Sequence, residues 1–215
     1  MEFDWKEVMV IIIASLILGL CFAYPSKNID ITKISLFVAY FLIIILVNVI
    51  AKKVIAYTLE SDVKTKFWEI YNYGFRRGEH FRKPLPMLWL PFLFSFVTKG
   101  IFSWMPILEC DITPRVERVS KRHGLYRFSE MTEWHVALIS VAGITANLIL
   151  AVILYILMAT INPGFEQFAR LNIFYATWCL LPLSSLDGTK IFMGSKILWF
   201  TTLIICLFFL AFAFA

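Results

Sequence analysis

The sequence predicts a mainly α-helical, polytopic membrane bundle of about five spans, with a re-entrant or interfacial segment and a short cytoplasmic β-hairpin. Hydrophobic residues make up 60% of the 215 residues and charged residues 16%, compared with about 45–50% and about 25% in soluble domains. Several apolar runs approach the ~20 residues needed to cross a hydrocarbon core. Basic residues gather between alternate pairs of these runs, as the positive-inside rule expects. We therefore expect one membrane domain over residues 1–215.

The predicted spans end at prolines, turns or charges, as the first does at Pro25. They cover about 8–24, 35–57, 136–161, 171–186 and 197–215. The two loops predicted to lie outside hold few basic residues, namely Lys27, Lys33 and Arg170. We therefore expect a multi-pass protein of the cell membrane with its N-terminus and the region 52–133 in the cytoplasm.

The region between the second and third spans divides into three parts. Residues 52–83 mix basic with aromatic side chains, which suits the headgroup layer of a lipid bilayer and needs no nucleic-acid partner. Residues 84–108 are apolar but interrupted by four prolines, which favours a re-entrant or interfacial segment over a spanning helix. Residues 109–128 alternate apolar and charged side chains around a His123-Gly124 turn signal, which predicts a short cytoplasmic β-hairpin.

Polar side chains at membrane depth are the candidate functional residues, because ionisable groups in spans are costly and usually face a partner or a cavity. Asn48 and Lys52 lie one helical turn apart and therefore share a face of the second span. Asn147 lies in the third span. Asp187, preceded by Pro182, ends the fourth span at the same side of the membrane as Lys52.

Two segments carry a resemblance to a known family. The segment 180–192, L-L-P-L-S-S-L-D-G-T-K-I-F, resembles the N-L-x-P-x-x-x-L-D-G-x-x-I-F signature of the site-2 proteases, which are intramembrane zinc metalloproteases. The segment 142–150, A-G-I-T-A-N-L-I-L, is similar to the A-G-P-x-x-N-L segment of that family. The resemblance marks Asp187 as the position of a zinc ligand. It marks Gly143, Asn147, Pro182 and Gly188 as supporting positions.

The resemblance also places the family's H-E-x-x-H motif on the second span. In that motif two histidines bind zinc and the glutamate activates water, but here the motif positions hold Asn48, Val49 and Lys52. Cys179 and Ile144 stand where the family has asparagine and proline. Because a protonated lysine repels zinc and valine cannot accept a proton, we expect no catalytic residue, no metal and no cofactor.

Other residues could rebuild a zinc site only if the fold brought them together. The chain has three histidines, His80, His123 and His135, and they lack ligand spacing. Its four cysteines are scattered, and three lie in apolar runs, which is typical of small buried hydrophobes. A rebuilt zinc protease therefore stays open as an alternative.

Lys52 has two possible environments. Its ammonium could occupy the place of the metal and pair with Asp187, with Asn48 and Asn147 hydrogen-bonding nearby, or it could snorkel to the cytoplasmic headgroups while Asp187 caps a turn. We interpret the chain as an inactive site-2-protease-like protein, a pseudoprotease. Such a protein would bind or regulate a transmembrane helix or an active protease. A small transporter or channel is the third hypothesis.

Overall fold

The computed structural model describes residues 4–24, 30–72, 80–100, 103–115 and 131–214. Within these ranges the chain folds into seven helices, four short strands and a 3₁₀ turn at Met87–Trp89. The helices are α1 (Trp5–Ala23), α2 (Ile31–Thr58), α3 (Leu90–Val97), α4 (Glu133–Thr160), α5 (Phe165–Cys179), α6 (Asp187–Gly194) and α7 (Lys196–Phe214). The strands are β1 (Ser61–Phe67), β2 (Glu69–Asn72), β3 (His80–Pro86) and β4 (Leu108–Pro114).

Four of the helices, α1, α2, α4 and α7, are long and apolar enough to cross a membrane. Their bounds agree with four of the five predicted spans to within a few residues. The chain thus has the helical make-up of a protein in a lipid bilayer, which covers the many exposed apolar side chains of α4 and α7.

The span predicted over 171–186 differs from the structure. Helix α5 starts earlier, at Phe165, and ends at Cys179 after 15 residues. The residues 180–186 that follow form a non-helical loop. An apolar run does not distinguish a helix from a loop, so the sequence predicts a span that extends through residues 180–186. The two ends of this loop are buried, with Leu180 and Leu186 1% and 2% exposed, whereas Pro182, Leu183 and Ser184 in its middle are exposed.

The hairpin predicted over 109–128 is also different in the structure. Strand β4 lies at the predicted start, but it pairs antiparallel with β1, in a register that sets Thr65 opposite Cys110. Residues 116–130, where the second strand was predicted, lie outside the described residues. The segment 52–83, which we predict to lie in the headgroup layer, holds the end of α2, strands β1 and β2, and the start of β3. We call the β1–β4 pair the ribbon.

The ribbon lies at one end of the bundle, which we call the ribbon end. Glu7, near the start of α1, contacts Lys53, near the end of α2, and accepts a hydrogen bond from the backbone N–H of Thr65 in β1. Helices α1 and α2 are therefore antiparallel, and the start of α1 and the end of α2 both lie at the ribbon end.

The segment between β3 and β4 leaves the ribbon end and returns to it. On the way, Ser95 of α3 donates a hydrogen bond to the carbonyl of Cys21, at 3.0 Å. Cys21 lies fourteen residues after Glu7 in α1, which is about 21 Å along a helix axis. The chain then returns to β4, so the segment between β3 and β4 leaves the bundle's ribbon end and comes back to the same end. That residues 84–108 are re-entrant or interfacial in a bilayer stays a prediction.

Candidate functional site

Helix α2 presents one continuous buried face. The buried residues recur every three or four positions, which is the period of one helix face: Phe41, Ile44, Ile45, Asn48, Val49, Lys52, Lys53 and Ala56. The three positions that the resemblance assigns to H-E-x-x-H therefore all point into the protein.

The Lys52 ammonium forms a buried ion pair with Asp187. Lys52 Nζ lies 2.5 Å from Asp187 Oδ2, and the two side chains are 3% and 5% exposed. The ammonium also donates to Cys110 Sγ of β4, at 3.4 Å. Of the two environments that the sequence left open, the structure shows pairing, and snorkelling to the headgroups is wrong. Each charge here depends on the other, since an uncompensated buried charge is strongly destabilising.

Asp187 is the first residue of α6, so its carboxylate lies at the positive end of a helix dipole. The preceding loop packs tightly on this turn: a Cβ on Gly188 would lie 2.1 Å from the carbonyl oxygen of Leu180. No other residue fits this position without moving the backbone. The Leu180 carbonyl is also held by the indole N–H of Trp199, at 3.0 Å. Pro182 lies within this loop and brings no N–H that would need a partner.

Gly143 of α4 provides the volume for the Lys52 side chain. A Cβ at Gly143 would lie 2.5 Å from Lys52 Cε and 2.8 Å from Asn48 Nδ2. Helix α4 therefore approaches α2 at the level where the two polar side chains lie. The resemblance marked Gly143 as a supporting position, and the structure gives that position a physical role.

The two asparagines do not join the ion pair as we expected. Asn147 is fully buried and neither end of its amide has a hydrogen-bond partner among the described residues. Asn48 Nδ2 and Asp187 Oδ1 likewise lack partners there. The ion pair is instead completed by the ribbon, through Cys110.

The ribbon contacts the loop and helix that carry Asp187. Ser185 Oγ donates to the Glu109 carboxylate, and Lys190 Nζ donates to the Cys110 carbonyl. Glu109 is 2% exposed and also pairs with Lys66, at 2.9 Å. The site thus combines α2, α4, the start of α6 and the ribbon.

A second buried ion pair lies beside the first, and sequence reasoning missed it. Lys53 Nζ lies 2.6 Å from Glu7 Oε2, with side chains 7% and 6% exposed. Glu7 also closes a capping box with Asp4 at the start of α1. The sequence did offer one signal for a structural role of Glu7: the capping-box spacing, with an acidic residue three positions after Asp4 at the start of an apolar run. Two adjacent lysines thus bind two carboxylates from different helices.

The side chains at the site do not fit a zinc ion. Within the described ranges, no group of three or more His, Cys, Asp or Glu side chains is placed to hold a metal. The Oδ2 atom of Asp187 is bonded to the Lys52 ammonium. His135 Nδ1 lies 2.8 Å from Thr132 Oγ1 at the start of α4. The side chain of His80 and all of His123 lie outside what the structure describes.

The fold and the site define a class: a helical membrane protein whose core holds a Lys–Asp ion pair covered by a two-stranded ribbon. No family model matches the chain, and no curated protein or solved structure matches it.

Proposed function

We propose that this chain is a catalytically inactive, site-2-protease-like membrane protein that binds or regulates membrane-helix partners without cleaving them. One observation supports the proposal above all. The Lys52 ammonium is bonded to the Asp187 carboxylate, at the two positions where the resemblance places a histidine ligand and the aspartate ligand of a catalytic zinc. A positive charge supplied by the protein itself neutralises the buried carboxylate that a metal would otherwise neutralise.

The chemistry of the three substituted positions argues against hydrolysis. An ammonium has three donors and no acceptor, so it cannot ligate a cation. Val49 is 2% exposed and aliphatic, and it cannot take a proton from water. A catalytic zinc requires about three protein ligands, and Asp187 is the one matching ligand. The Lys52–Asp187 pair can therefore join the elements of the site, but these residues cannot activate water as a nucleophile.

The retained scaffold supports a binding role. Gly143 allows α4 to approach α2 closely, and Gly188 allows the 180–186 loop to pack on the first turn of α6. The partner we propose is a hydrophobic helix in the same bilayer, since the outer faces of α4 and α7 are apolar and lie where a membrane helix would meet them.

Metal analysis of the purified full-length chain tests this proposal. We expect the natural chain to carry far less than one zinc per molecule after purification in zinc-containing buffer. The matched control is the triple variant Asn48→His, Val49→Glu and Lys52→His, which completes the ligand set with Asp187 and should bind about one zinc.

Cleavage of a co-expressed single-span substrate gives a second readout. We expect none from the natural chain. Stoichiometric zinc in the natural chain that Asp187→Asn removes, or cleavage that a chelator stops, would overturn the proposal and favour a rebuilt zinc protease.

A further inference from the structure

A cavity of about 520 Å³ lies between α1, α5, α7 and the segment that joins α3 to β4. We call it the far cavity, because Phe22 and Phe214, which line it, belong to the last turns of α1 and α7, away from the ribbon end. Leu181 also lines it and belongs to the 180–186 loop. The far cavity therefore extends from the far helix ends toward the loop that precedes Asp187.

The lining of the far cavity is apolar and faces lipid. The described residues that line it carry no charge, and the hydroxyl of Thr177 among them already donates to the Ile173 carbonyl, at 2.9 Å. Phe214 is 72% exposed, so the cavity is open at the surface. Helices α1 and α7 are long and apolar enough to cross a membrane. An opening between them adjoins hydrocarbon, where a hydrophobic occupant is favoured.

The size of the far cavity favours a single acyl chain over a membrane helix. One turn of a helix with its side chains occupies roughly 400–600 Å³, from a diameter of about 10–12 Å and a pitch of about 5.4 Å. A cavity of about 520 Å³ therefore holds about one helical turn and not a spanning helix. An acyl chain is thinner and bends freely, so it can follow the cavity between the helices.

A lysine stands at the rim of this cavity. Lys99 directly precedes Gly100, which lines the cavity and whose N–H donates to the Ser95 carbonyl, at 2.9 Å. Ser95 is bonded to Cys21, two residues before the end of α1, so Lys99 lies near the far end of that helix. Its side chain is exposed, and no described carboxylate pairs with it. The rim thus offers an ammonium that an anion can bind.

We propose that the far cavity binds one acyl chain of an anionic phospholipid, whose phosphate pairs with Lys99. The apolar lining and the charged rim match the two parts of such a lipid, and Lys99 lies near the end of a spanning helix, where headgroups gather. This lipid site goes beyond the proposed function and does not depend on it.

Photo-crosslinking in proteoliposomes tests the site in the full-length chain. The vesicles consist of phosphatidylcholine with a trace of a diazirine-acyl probe, either phosphatidylglycerol or phosphatidylcholine, and mass spectrometry locates the crosslinks. Ile156 of α4, 58% exposed, reports ordinary lipid contact and should label equally with both probes. Relative to Ile156, we expect the cavity residues to prefer the phosphatidylglycerol probe about fivefold, the effect of one lysine at a membrane surface.

Two pairs of variants separate headgroup binding from chain binding. Lys99→Gln should abolish the preference for phosphatidylglycerol. Lys33→Gln, at the exposed start of α2 on the same end of the bundle, should keep it. Leu210→Trp fills the cavity and should lower its labelling severalfold with both probes. Ile205→Trp, on the exposed side of the same helix, should not.

Equal labelling of the cavity by both probes, or an equal loss of preference in Lys33→Gln, would overturn the proposal. Absence of cavity labelling, with a co-reconstituted hydrophobic helix crosslinking there instead, would overturn it in favour of a helix partner. If Leu210→Trp does not fold, Lys99→Gln decides, since that side chain is exposed. Zinc content does not depend on Lys99, so failure of the lipid site and failure of the proposed function are distinguishable.

Discussion

At the scale of single residues, one buried ammonium neutralises a carboxylate and joins separate elements, which are tasks that a structural metal ion can also perform. Zinc in such a position would neutralise a carboxylate and tie two helices and a loop together. Lys52 does both, because its ammonium binds Asp187 and Cys110 while its stem fills the space beside Gly143. It does so without the open coordination position that catalysis requires.

Replacing Lys52 should cost far more stability than replacing an exposed lysine. Lys52→Met leaves Asp187 buried and unpaired, for which we expect a loss of about 3–5 kcal/mol. The double variant with Asp187→Asn should recover at least about 1–2 kcal/mol of that loss, since it removes the uncompensated charge. Unfolding of the purified protein in a dodecyl sulfate titration measures both.

The matched control is Lys64→Met on β1, because Lys64 is exposed and should change stability by less than about 0.5 kcal/mol. A Lys52→Met cost equal to that of the control would show that the pair does not stabilise the fold.

Gly143→Ala should weaken the Lys52–Asp187 ion pair without removing either charge. The added Cβ would lie 2.5 Å from Lys52 Cε and 2.9 Å from Asn48 Cγ, so the lysine stem must move. We expect a loss of about 1–3 kcal/mol, as for overpacking elsewhere. The same titration measures it, and the coupling between Lys52 and Asp187 should fall when the double-mutant cycle is repeated in this background.

Gly164→Ala is the matched control, since the nearest atom to its new Cβ is Asn162 Oδ1 at 3.2 Å, in an exposed turn. Equal effects at Gly143 and Gly164 would contradict the role given to Gly143.

The sequence could predict which residues face the site but not which ion pairs and hydrogen bonds they form. The spacing of Asn48 and Lys52 predicts one shared face, and the structure has it. Whether Lys52 turned inward depended on space that α4 leaves at Gly143, and no local pattern measures such space. The Lys53–Glu7 pair joins residues 46 positions apart, and the asparagines were assigned partners that the structure does not give them.

At the scale of elements, two carboxylates hold helix α2 near its C-terminal end, at the ribbon end of the bundle. Lys52 and Lys53 are neighbours, so they point about 100° apart around the helix and reach different elements. One reaches Asp187 of α6, and the other reaches Glu7 of α1. The two ion pairs thus fix α2 relative to α1, α6 and the ribbon at the same level.

Apolar runs predicted the long helices, because burial in lipid and burial in protein demand the same residues. The strands were harder to predict. Ser61–Phe67 carries Asp62, Lys64 and Lys66 on alternate positions, and that alternation was the signal for β1. Its partner lies more than forty residues away, so no local turn marked the pairing, whereas the predicted hairpin relied on a nearby turn signal.

The open end of the ribbon should loosen at low pH. The Arg115 guanidinium, which bonds both oxygens of Asp62, lowers the pKa of that carboxyl below its usual 3.8. A carboxyl whose pKa is lower in the folded chain contributes stability above its unfolded pKa, and this contribution is lost as pH falls through the folded pKa. We therefore expect the contact to persist at pH 5 and to disappear progressively below about pH 4.

Amide exchange of residues 61–63, 112, 113 and 115, measured against pH, checks this behaviour. Asp62→Asn removes the titrating group, so its exchange should show no additional step in that range. An identical step in Asp62→Asn would assign the pH effect to another group.

At the scale of the whole molecule, polar contacts and apolar contacts are segregated. The two ion pairs and the ribbon are gathered at one end, and a cluster of fully buried apolar residues such as Phe41, Ile44 and Leu18 fills the rest of the interior. The aromatic contacts of Trp104 with Trp68, Phe94 and Trp178 connect the ribbon end to the segment between β3 and β4 and to α5. We therefore expect a change in the ribbon to alter side-chain packing in the segment between β3 and β4.

This arrangement predicts the topology of the chain in the membrane. Positive charge gathers at the ribbon end, so we expect that end in the cytoplasm and the exposed turn at 162–164 outside. Single cysteines replacing Lys64, Asp111, Leu93 and Pro163, in a chain whose own cysteines are alanine, test it with a membrane-impermeant maleimide. Positions 64 and 111 should label from the cytoplasmic side only and position 163 from the outside only.

Leu93 decides whether the segment between β3 and β4 re-enters the bundle within the bilayer. Leu93 lies on α3 and is 45% exposed, at a depth set by the neighbouring contact between Ser95 and Cys21. A cysteine there should stay unlabelled from both sides until detergent is added, because lipid surrounds an exposed side chain at that depth. Labelling of position 93 from the outside in intact membranes would show that the segment reaches the opposite surface. Labelling of position 93 from the cytoplasmic side in intact membranes would place it on the surface instead.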